Sequence, residues 1–282
     1  RPTYTETEND LTVKANKRTF IFSKKDGQLK GISVDNRKIS FANGPRFIGA
    51  RRADRSLDQF YNHDDEKAKE KDRTYSEFPD AAVFTKLDVK QDGGDLIVTA
   101  NYKLGNLDKA QWTINPSGEL ALDYTYNFSG VVDLMGIRFD YPEDQVISKR
   151  WLGAGPYRVW QNRIHGTQYD IWENDYNDPI PGETFTYPEF KGYFGDVSWM
   201  NIQTKEGTIS LTNETPDAYI GVYQPRDGRD RLLYTLPESG ISVLNVIPPV
   251  RNKVNSTDLC GPSSQPKWVN GPQTGRVIFR FM

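Results

Sequence analysis

The chain has 282 residues, 36 of them basic and 38 acidic, for a formal net charge of −2. That balance gives no electrostatic footprint for nucleic acid or an anionic membrane surface, and neither is expected as a partner. No stretch reaches the roughly 18 unbroken apolar residues of a membrane span, and the single cysteine, Cys260, excludes an internal disulfide framework and a multi-thiolate metal site. Cys260 reads as a small buried hydrophobe. The opening "RPTYTETEND" has neither a methionine nor an apolar signal segment, so the expectation is a chain with more protein upstream.

Taken in order, the segments read as strands with turn punctuation. "TFIFSKKDGQLKGISVD" alternates through Phe20 and Phe22, turns at Asp26-Gly27, and resumes with Leu29, Ile32 and Val34, a hairpin pattern. Residues 51–78 are highly charged, and about 54–71 suits a solvated helix. Asp64 and Asp65 beside His63 suggest a metal there, against which stands the plainer reading of an exposed polar excursion. "DLIVTANYKL" is a strand, and "AQWTINPSGELALDYTYNF" two strands joined by Asn115-Pro116-Ser117-Gly118. "GTISLTN", "AYIGVYQ", "RLLYTL" and the closing "GRVIFRF" continue the pattern. The runs use the aromatic and β-branched residues that a pleated, half-buried surface prefers, and no helices alternate with them, which argues against a parallel βαβ sheet. A long loop is expected over 248–275, and long loops in compact domains are often functional.

The segment from Trp151 to Trp199 holds twelve aromatic residues and four of the six tryptophans. Aromatic faces suit the C–H side of a pyranose while indole and phenol edges can hydrogen-bond. Arg158, Asn162 and Arg163 supply donors among them, and Gln161 and Asp175 acceptors. If 157–163 is a strand, Arg158, Trp160 and Asn162 share one face. Composition alone leaves a sugar platform and dense packing as equal readings. "WENDYNDP" gathers Glu173, Asn174, Asp175, Asn177 and Asp178, oxygen chemistry that Ca²⁺ accepts, with Glu173, Asp175 and Asp178 as the candidate ligands. The spacing is not that of an EF-hand, and the same residues simply make turns, so no cofactor is expected.

"WLGAGPYRVWQNR", a Gly-x-Gly-Pro run followed by an Asn-Arg pair, resembles the signature of the C-terminal domain of β-galactosidases of glycoside hydrolase family 2. "GQLKGISVDNRKISFANGPRF" is similar to the opening hairpin of that domain, "LMGIRFDYPEDQ" to the strand before the signature, and "YPEFKGYFGDVSWMNIQTKEG" to the segment after it. "GISVLNVIPPVRNK" and "GRVIFRF" fit its final strands, though the specific block is 151–194. The resemblance implies an all-β, antiparallel supersandwich of the galactose-mutarotase-like kind, one domain over 1–282, packed beside a catalytic barrel upstream in the same polypeptide. It implies carbohydrate as ligand, with Arg158, Asn162, Arg163, Glu189, Trp268 and Trp160 as sugar or interface contacts. Trp151, Tyr157 and Trp172 are then read as shaping the platform. If the parent enzyme degrades polysaccharide, a periplasmic or extracellular location follows. In the family a tryptophan of a final Trp-Leu-Asn segment stacks on the substrate, whereas the matching "SVLNV" here carries Val243 before Leu244 and Asn245, which puts that role in doubt or moves it to a neighbour such as Trp268.

No catalytic residue is expected in this chain. Retaining glycosidases need two carboxylates about 5–5.5 Å apart, and in the family both come from the barrel. Asn213-Glu214 in "TNETP" echoes the acid/base dipeptide of the family but sits in a turn after a strand. Glu183 and Glu189 lie among aromatics, as sugar acceptors or as partners of loop backbone and arginines. Two alternatives remain open: a free-standing aldose 1-epimerase, and a non-catalytic carbohydrate-binding module or polysaccharide-lyase sandwich domain. The epimerase needs a general acid and base, for which the chain offers only His63 and His165, the latter read as a turn residue, and Asp258 near the C-terminal end. Replacing Arg158 or Asn162 by alanine is expected to weaken sugar binding with the thermal midpoint nearly unchanged.

Overall fold

The computed structural model describes residues 1–52, 75–175, 191–225, 236–249 and 262–282. Among these, every strand belongs to one of two antiparallel sheets. A ten-stranded sheet runs in the order β1 (Thr3–Glu6), β2 (Asp10–Ala15), β3 (Arg18–Ser23), β4 (Leu29–Val34), β6 (Ala42–Arg52), β12 (Leu134–Asp140), β18 (Ile241–Val246) and β17 (Tyr219–Val222), with β5 (Arg37–Ile39) on β4 and β7 (Tyr75–Glu77) on β6. A nine-stranded sheet runs β14 (Gln168–Asp175), β13 (Val146–Gly155), β15 (Trp199–Thr204), β16 (Gly207–Asn213), β19 (Lys267–Phe281), β11 (Leu120–Val132), β10 (Leu107–Ile114), β9 (Asp95–Lys103) and β8 (Val83–Asp92). The all-β antiparallel expectation holds. The helix expected near 54–71, the strand at "RLLYTL" up to residue 235, Cys260 and Asp258 lie outside the described residues.

Alternation puts one side of each strand inward. Leu96, Val98 and Ala100 of β9 and Leu11, Val13 and Ala15 of β2 are buried while their neighbours reach solvent. Turn chemistry fixes the register: Asn115 Oδ1 accepts from the amides of Ser117 and Glu119, both at 3.0 Å, closing the β10–β11 turn. The two sheets meet through rings contributed by both. Trp112 lies 6.0 Å from Phe22 and 6.1 Å from Phe139, and Phe41 lies 4.7 Å from Phe139 and 5.1 Å from Phe279. Each such buried side chain contributes about 1.5–3 kcal/mol of transfer free energy. The free edge at β8 is guarded differently, by the exposed pairs Lys86–Asp88 at 2.8 Å and Lys90–Asp92 at 3.6 Å, which disfavour edge-to-edge association.

A second core lies on the opposite face of the ten-stranded sheet. Ile48, Ala50, Leu134 and Leu244 point outward from it and are covered by Val159, Trp160, Tyr193, Leu236 and Ile247. Part of that cover, Val159 and Trp160, comes from residues just after β13, a strand of the other sheet. The segment 193–198 completes the link: Ala154 N donates to Gly195 O and Ser198 N to Leu152 O, both at 2.9 Å, while Phe194 and Ile220 exchange backbone hydrogen bonds at 2.9 Å. It is thereby held between β13 of one sheet and β17, the edge strand of the other.

Two expectations are corrected here. The loop foreseen over 248–275 ends by residue 266, because 267–275 belongs to β19 and pairs with β11 from Val132↔Lys267 onward. The possible strand at 157–163 is a turn, closed by Trp160 N to Arg163 O at 3.2 Å and Arg163 N to Trp160 O at 2.9 Å.

Glu206, in the β15–β16 turn, ties the sheets at one end. It accepts from Ser40 N at 2.9 Å, Ser40 Oγ at 2.6 Å and Tyr141 Oη at 2.9 Å. Burial pushes its carboxyl up, but the hydrogen bonds from Ser40 and Tyr141 outweigh burial and hold it below the usual carboxylate range. A carboxylate whose folded pKa is depressed stabilises the fold above its unfolded value, about 4.3, and loses that contribution as pH falls through the folded value. Glu206→Gln is therefore expected to lower the thermal midpoint at pH 7, with the difference from the parent chain shrinking toward zero as pH drops below about 4. Calorimetry across that range checks it; a constant difference would mean that ionisation of Glu206 does not matter.

Candidate functional site

The signature begins in β13, where Trp151 is fully buried and packs edge-on against Phe194 at 4.9 Å. Its Nε1 donates to Ala154 O at 2.9 Å. Both signature glycines are there because neighbours come close. A Cβ on Gly153 would meet Gly195 O at 2.9 Å and Asp196 O and Val197 Cα at 3.0 Å, and one on Gly155 would run into the indole of Trp172.

After β13 the chain dives beneath the surface and comes back. Arg158 is 4% exposed, its guanidinium 5.6 Å from the centre of the Phe194 ring, a cation–π arrangement. Trp160 is fully buried and meets Tyr193 edge-on at 5.8 Å, where burial, then the nearby Tyr75, pushes the Tyr193 phenol well up. These two predicted contact residues thus form a packed floor, and the alternation that put Arg158, Trp160 and Asn162 on one face does not apply to a turn. Because Arg158 lies beneath the surface, the expected unchanged thermal midpoint on its removal is replaced by an expected loss of stability.

The polar tip of the turn, 161–163, docks on the segment that precedes β19. Gln161 Nε2 donates to Ser263 O at 2.8 Å and Gln265 O at 2.7 Å, Asn162 Nδ2 to Ser264 Oγ at 3.2 Å, and Gln161 N to Pro248 O at 3.0 Å. Two residues beyond Pro266 stands Trp268, 73% exposed and paired in register with Val131. Arg163 is exposed at the same tip. The structure therefore brings Gln161 and Asn162 against the segment that leads into Trp268, with Arg163 exposed at the same turn and Arg158 and Trp160 buried before it. Glu183 and Glu189 lie outside the described residues.

The remaining candidates fall elsewhere. Tyr157 Oη donates to His165 O at 3.3 Å, and exposed His165 sits in the turn before β14. Trp172 is half-buried, opposite Trp151 in the β13–β14 ladder, with Nε1 donating to Gln168 O at 3.2 Å. Glu173 and Asp175 are exposed on one face of β14, so the turn expected there is a strand up to residue 175. Asp178 is outside the described residues, and among the described ones no group of three His, Cys, Asp or Glu side chains is placed to hold an ion. Val243 is 2% exposed within β18, between Ile137 and Ile220 of the adjacent strands, and offers no stacking surface. Asn213 closes a turn through its side chain, and Glu214 pairs with Arg276 at 3.0 Å, a structural use of the Asn-Glu dipeptide. Sequence reasoning missed Lys149, fully buried and registered opposite the buried Asn174; its place in a strand flanked by polar residues gave no signal of burial.

A family model described as beta galactosidase small chain matches residues 14–253. None of the curated proteins matches the sequence. Solved structures similar to the chain include galactose 1-epimerase from Lactobacillus acidophilus NCFM, 8% identical, covering 100% of this chain and 98% of that one with a TM-score of 0.47. An aldose epimerase homologue from C. elegans is 7% identical over 100% and 99% of the two chains, with a TM-score of 0.42. An amine oxidase from Aspergillus nidulans is 8% identical over 96% of this chain and 51% of its own, with a TM-score of 0.35. Among the described residues no helix is long and apolar enough to cross a membrane.

Proposed function

The chain belongs to the β-galactosidase small-chain family, and from that membership we propose that it is the accessory β-domain of a glycoside hydrolase, completing a sugar site whose catalytic carboxylates lie in an upstream barrel. The observation that carries the reading is the docking of the signature tip, through Gln161 and Asn162, onto the segment before Trp268. Arg163 is exposed at that tip and Trp268 is exposed just beyond the docked segment, and a guanidinium donor with an indole face is the pair of groups that suits the hydroxyls and the C–H face of a pyranose ring. In this reading Arg163 and Trp268 form the rim of the site, Arg158 and Trp160 are buried before it, and Trp268 takes the stacking role that Val243 cannot fill. No acid or base is assigned within the chain.

Trp268→Ala is expected to weaken lactose or galactose binding by about tenfold or more, as removal of a central aromatic contact does, with the thermal midpoint unchanged because the ring is exposed. Arg163→Ala is expected to weaken it less. Titration calorimetry on the 282-residue chain reads both. Equal affinity in the parent chain and both variants would sink the reading of the rim, and galactose mutarotation faster than the uncatalysed rate would overturn the non-catalytic one.

A further inference from the structure

The outward face of the ten-stranded sheet carries a second concavity that shares no residue with the signature rim. Arg46 of β6 and Arg138 of β12 stand directly opposite one another in the ladder. Like charges so placed repel unless compensated, and here each has its own partner. Arg46 is clamped by Asp140, and its Nε donates to Asn43 O at 2.8 Å. Arg138 pairs with Glu77 at 3.0 Å and donates to the Glu238 carbonyl. Asn43 Nδ2 closes the array on Asp140 Oδ2 at 2.8 Å. Around these groups opens a cleft of about 670 Å³, walled further by Gln224 and Glu238, within the range of about 300–1,000 Å³ of small-molecule sites.

The chemistry of the walls narrows the ligand. The two tyrosines at the cleft, Tyr141 and Tyr223, are 5% and 6% exposed, and their hydroxyls are engaged by Glu206 and by the Tyr141 carbonyl. Among the described residues no broad apolar face is left for an aromatic or lipid ligand. Among the described residues the lining sets Asp140, Glu143 and Glu238 beside the two guanidinium groups, so their balance is not cationic and does not favour an anion. Side chains already fixed by their mutual bonds retain spare N–H donors and carboxylate lone pairs at close spacing. A ligand that is neutral and carries adjacent groups able both to donate and to accept matches that mosaic. Adjacent hydroxyls on a ring do so.

We propose that this cleft is a second carbohydrate subsite, taking a neutral mono- or disaccharide through Arg46, Asp140, Gln224 and Glu238. The choice of a saccharide among neutral polyols rests on the function proposed above; the cleft and its polarity do not.

The test is a titration of the isotope-labelled 282-residue chain with galactose, lactose and, separately, inorganic phosphate. It follows the side-chain amides of Asn43 and Gln224 for the cleft and the indole N–H of Trp268 for the rim. Saturable shifts of the two amides with galactose or lactose are expected, weakened about tenfold or more in Asp140→Asn, where a charged hydrogen-bonding partner is lost, and unchanged in Trp268→Ala. Gln224→Ala, which leaves the ion pair intact, is expected to weaken binding too and serves if Asp140→Asn fails to fold. Sugar shifts confined to the Trp268 indole would overturn the cleft and leave the rim standing. Shifts at neither would overturn both. Amide shifts with phosphate alone, or amide shifts lost in Trp268→Ala, would overturn a separate saccharide site.

Discussion

Trp151→Ala is expected to destabilise the chain by about 3–5 kcal/mol, the range for removing a large buried aromatic. Three effects act together. The indole is fully buried, so its apolar surface is lost from the core. Its edge contact with Phe194 at 4.9 Å disappears, and with it the support of the segment held between the two sheets. The carbonyl of Ala154 also loses its donor at 2.9 Å in a dry setting. Denaturant unfolding measures the total, and Trp151→Phe separates the terms in part: it keeps a ring beside Phe194 but removes the N–H and one ring of the indole, for an expected loss of about 1–3 kcal/mol. A change below about 1 kcal/mol for the alanine variant would mean that the surroundings collapse into the vacated space.

Gly153→Ala is expected to cost about 1–3 kcal/mol even though it adds one methyl group. What that methyl meets is backbone: Gly195 O at 2.9 Å, Asp196 O and Val197 Cα at 3.0 Å. A side chain can rotate away, but this stretch is anchored by Ala154 N to Gly195 O and Ser198 N to Leu152 O. Relief therefore requires stretching the bonds that join the sheets. The loss is expected as a lower unfolding midpoint, and hydrogen exchange should quicken at the amides of Ala154 and Ser198 first. Unchanged protection at those two amides would show that the segment yields without strain.

Much of the architecture was legible because period-two alternation is a local property. The runs at 95–104 and 110–128 and the turn at Asp26-Gly27 appear where the pattern puts them. Two readings failed for identifiable reasons. Gly271 and Pro272 made 248–275 look like a loop, yet they lie in β19. Among the described residues that half of β19 has a single neighbour, β11, since β16 pairs with Val277–Phe281, so a residue without an N–H is tolerated there. Residues 157–163 mix aromatic and polar side chains whether they form a strand or a turn, and only the paired bonds between Trp160 and Arg163 decide it. The signature tryptophans Trp151 and Trp160 are packed while Trp268, far along the chain, is exposed, a difference that composition does not carry. The pairing of Arg46 with Arg138 was beyond sequence reasoning altogether, because it depends on the register between β6 and β12.

The strand that ends in the core with Phe279 and Phe281 is the same 15-residue strand that carries Trp268 at its other end. The indole is thus mounted on backbone whose position the β11 ladder has already set, residue by residue from Val132↔Lys267 to Leu120↔Phe279. A ring on a free loop must surrender conformational entropy when a ligand arrives, and that loss is subtracted from the affinity. Here most of it is spent when the protein folds. On the function proposed above, a saccharide stacking on Trp268 would meet a pre-ordered platform, and its association would be governed by encounter and desolvation rather than by a search through loop conformations.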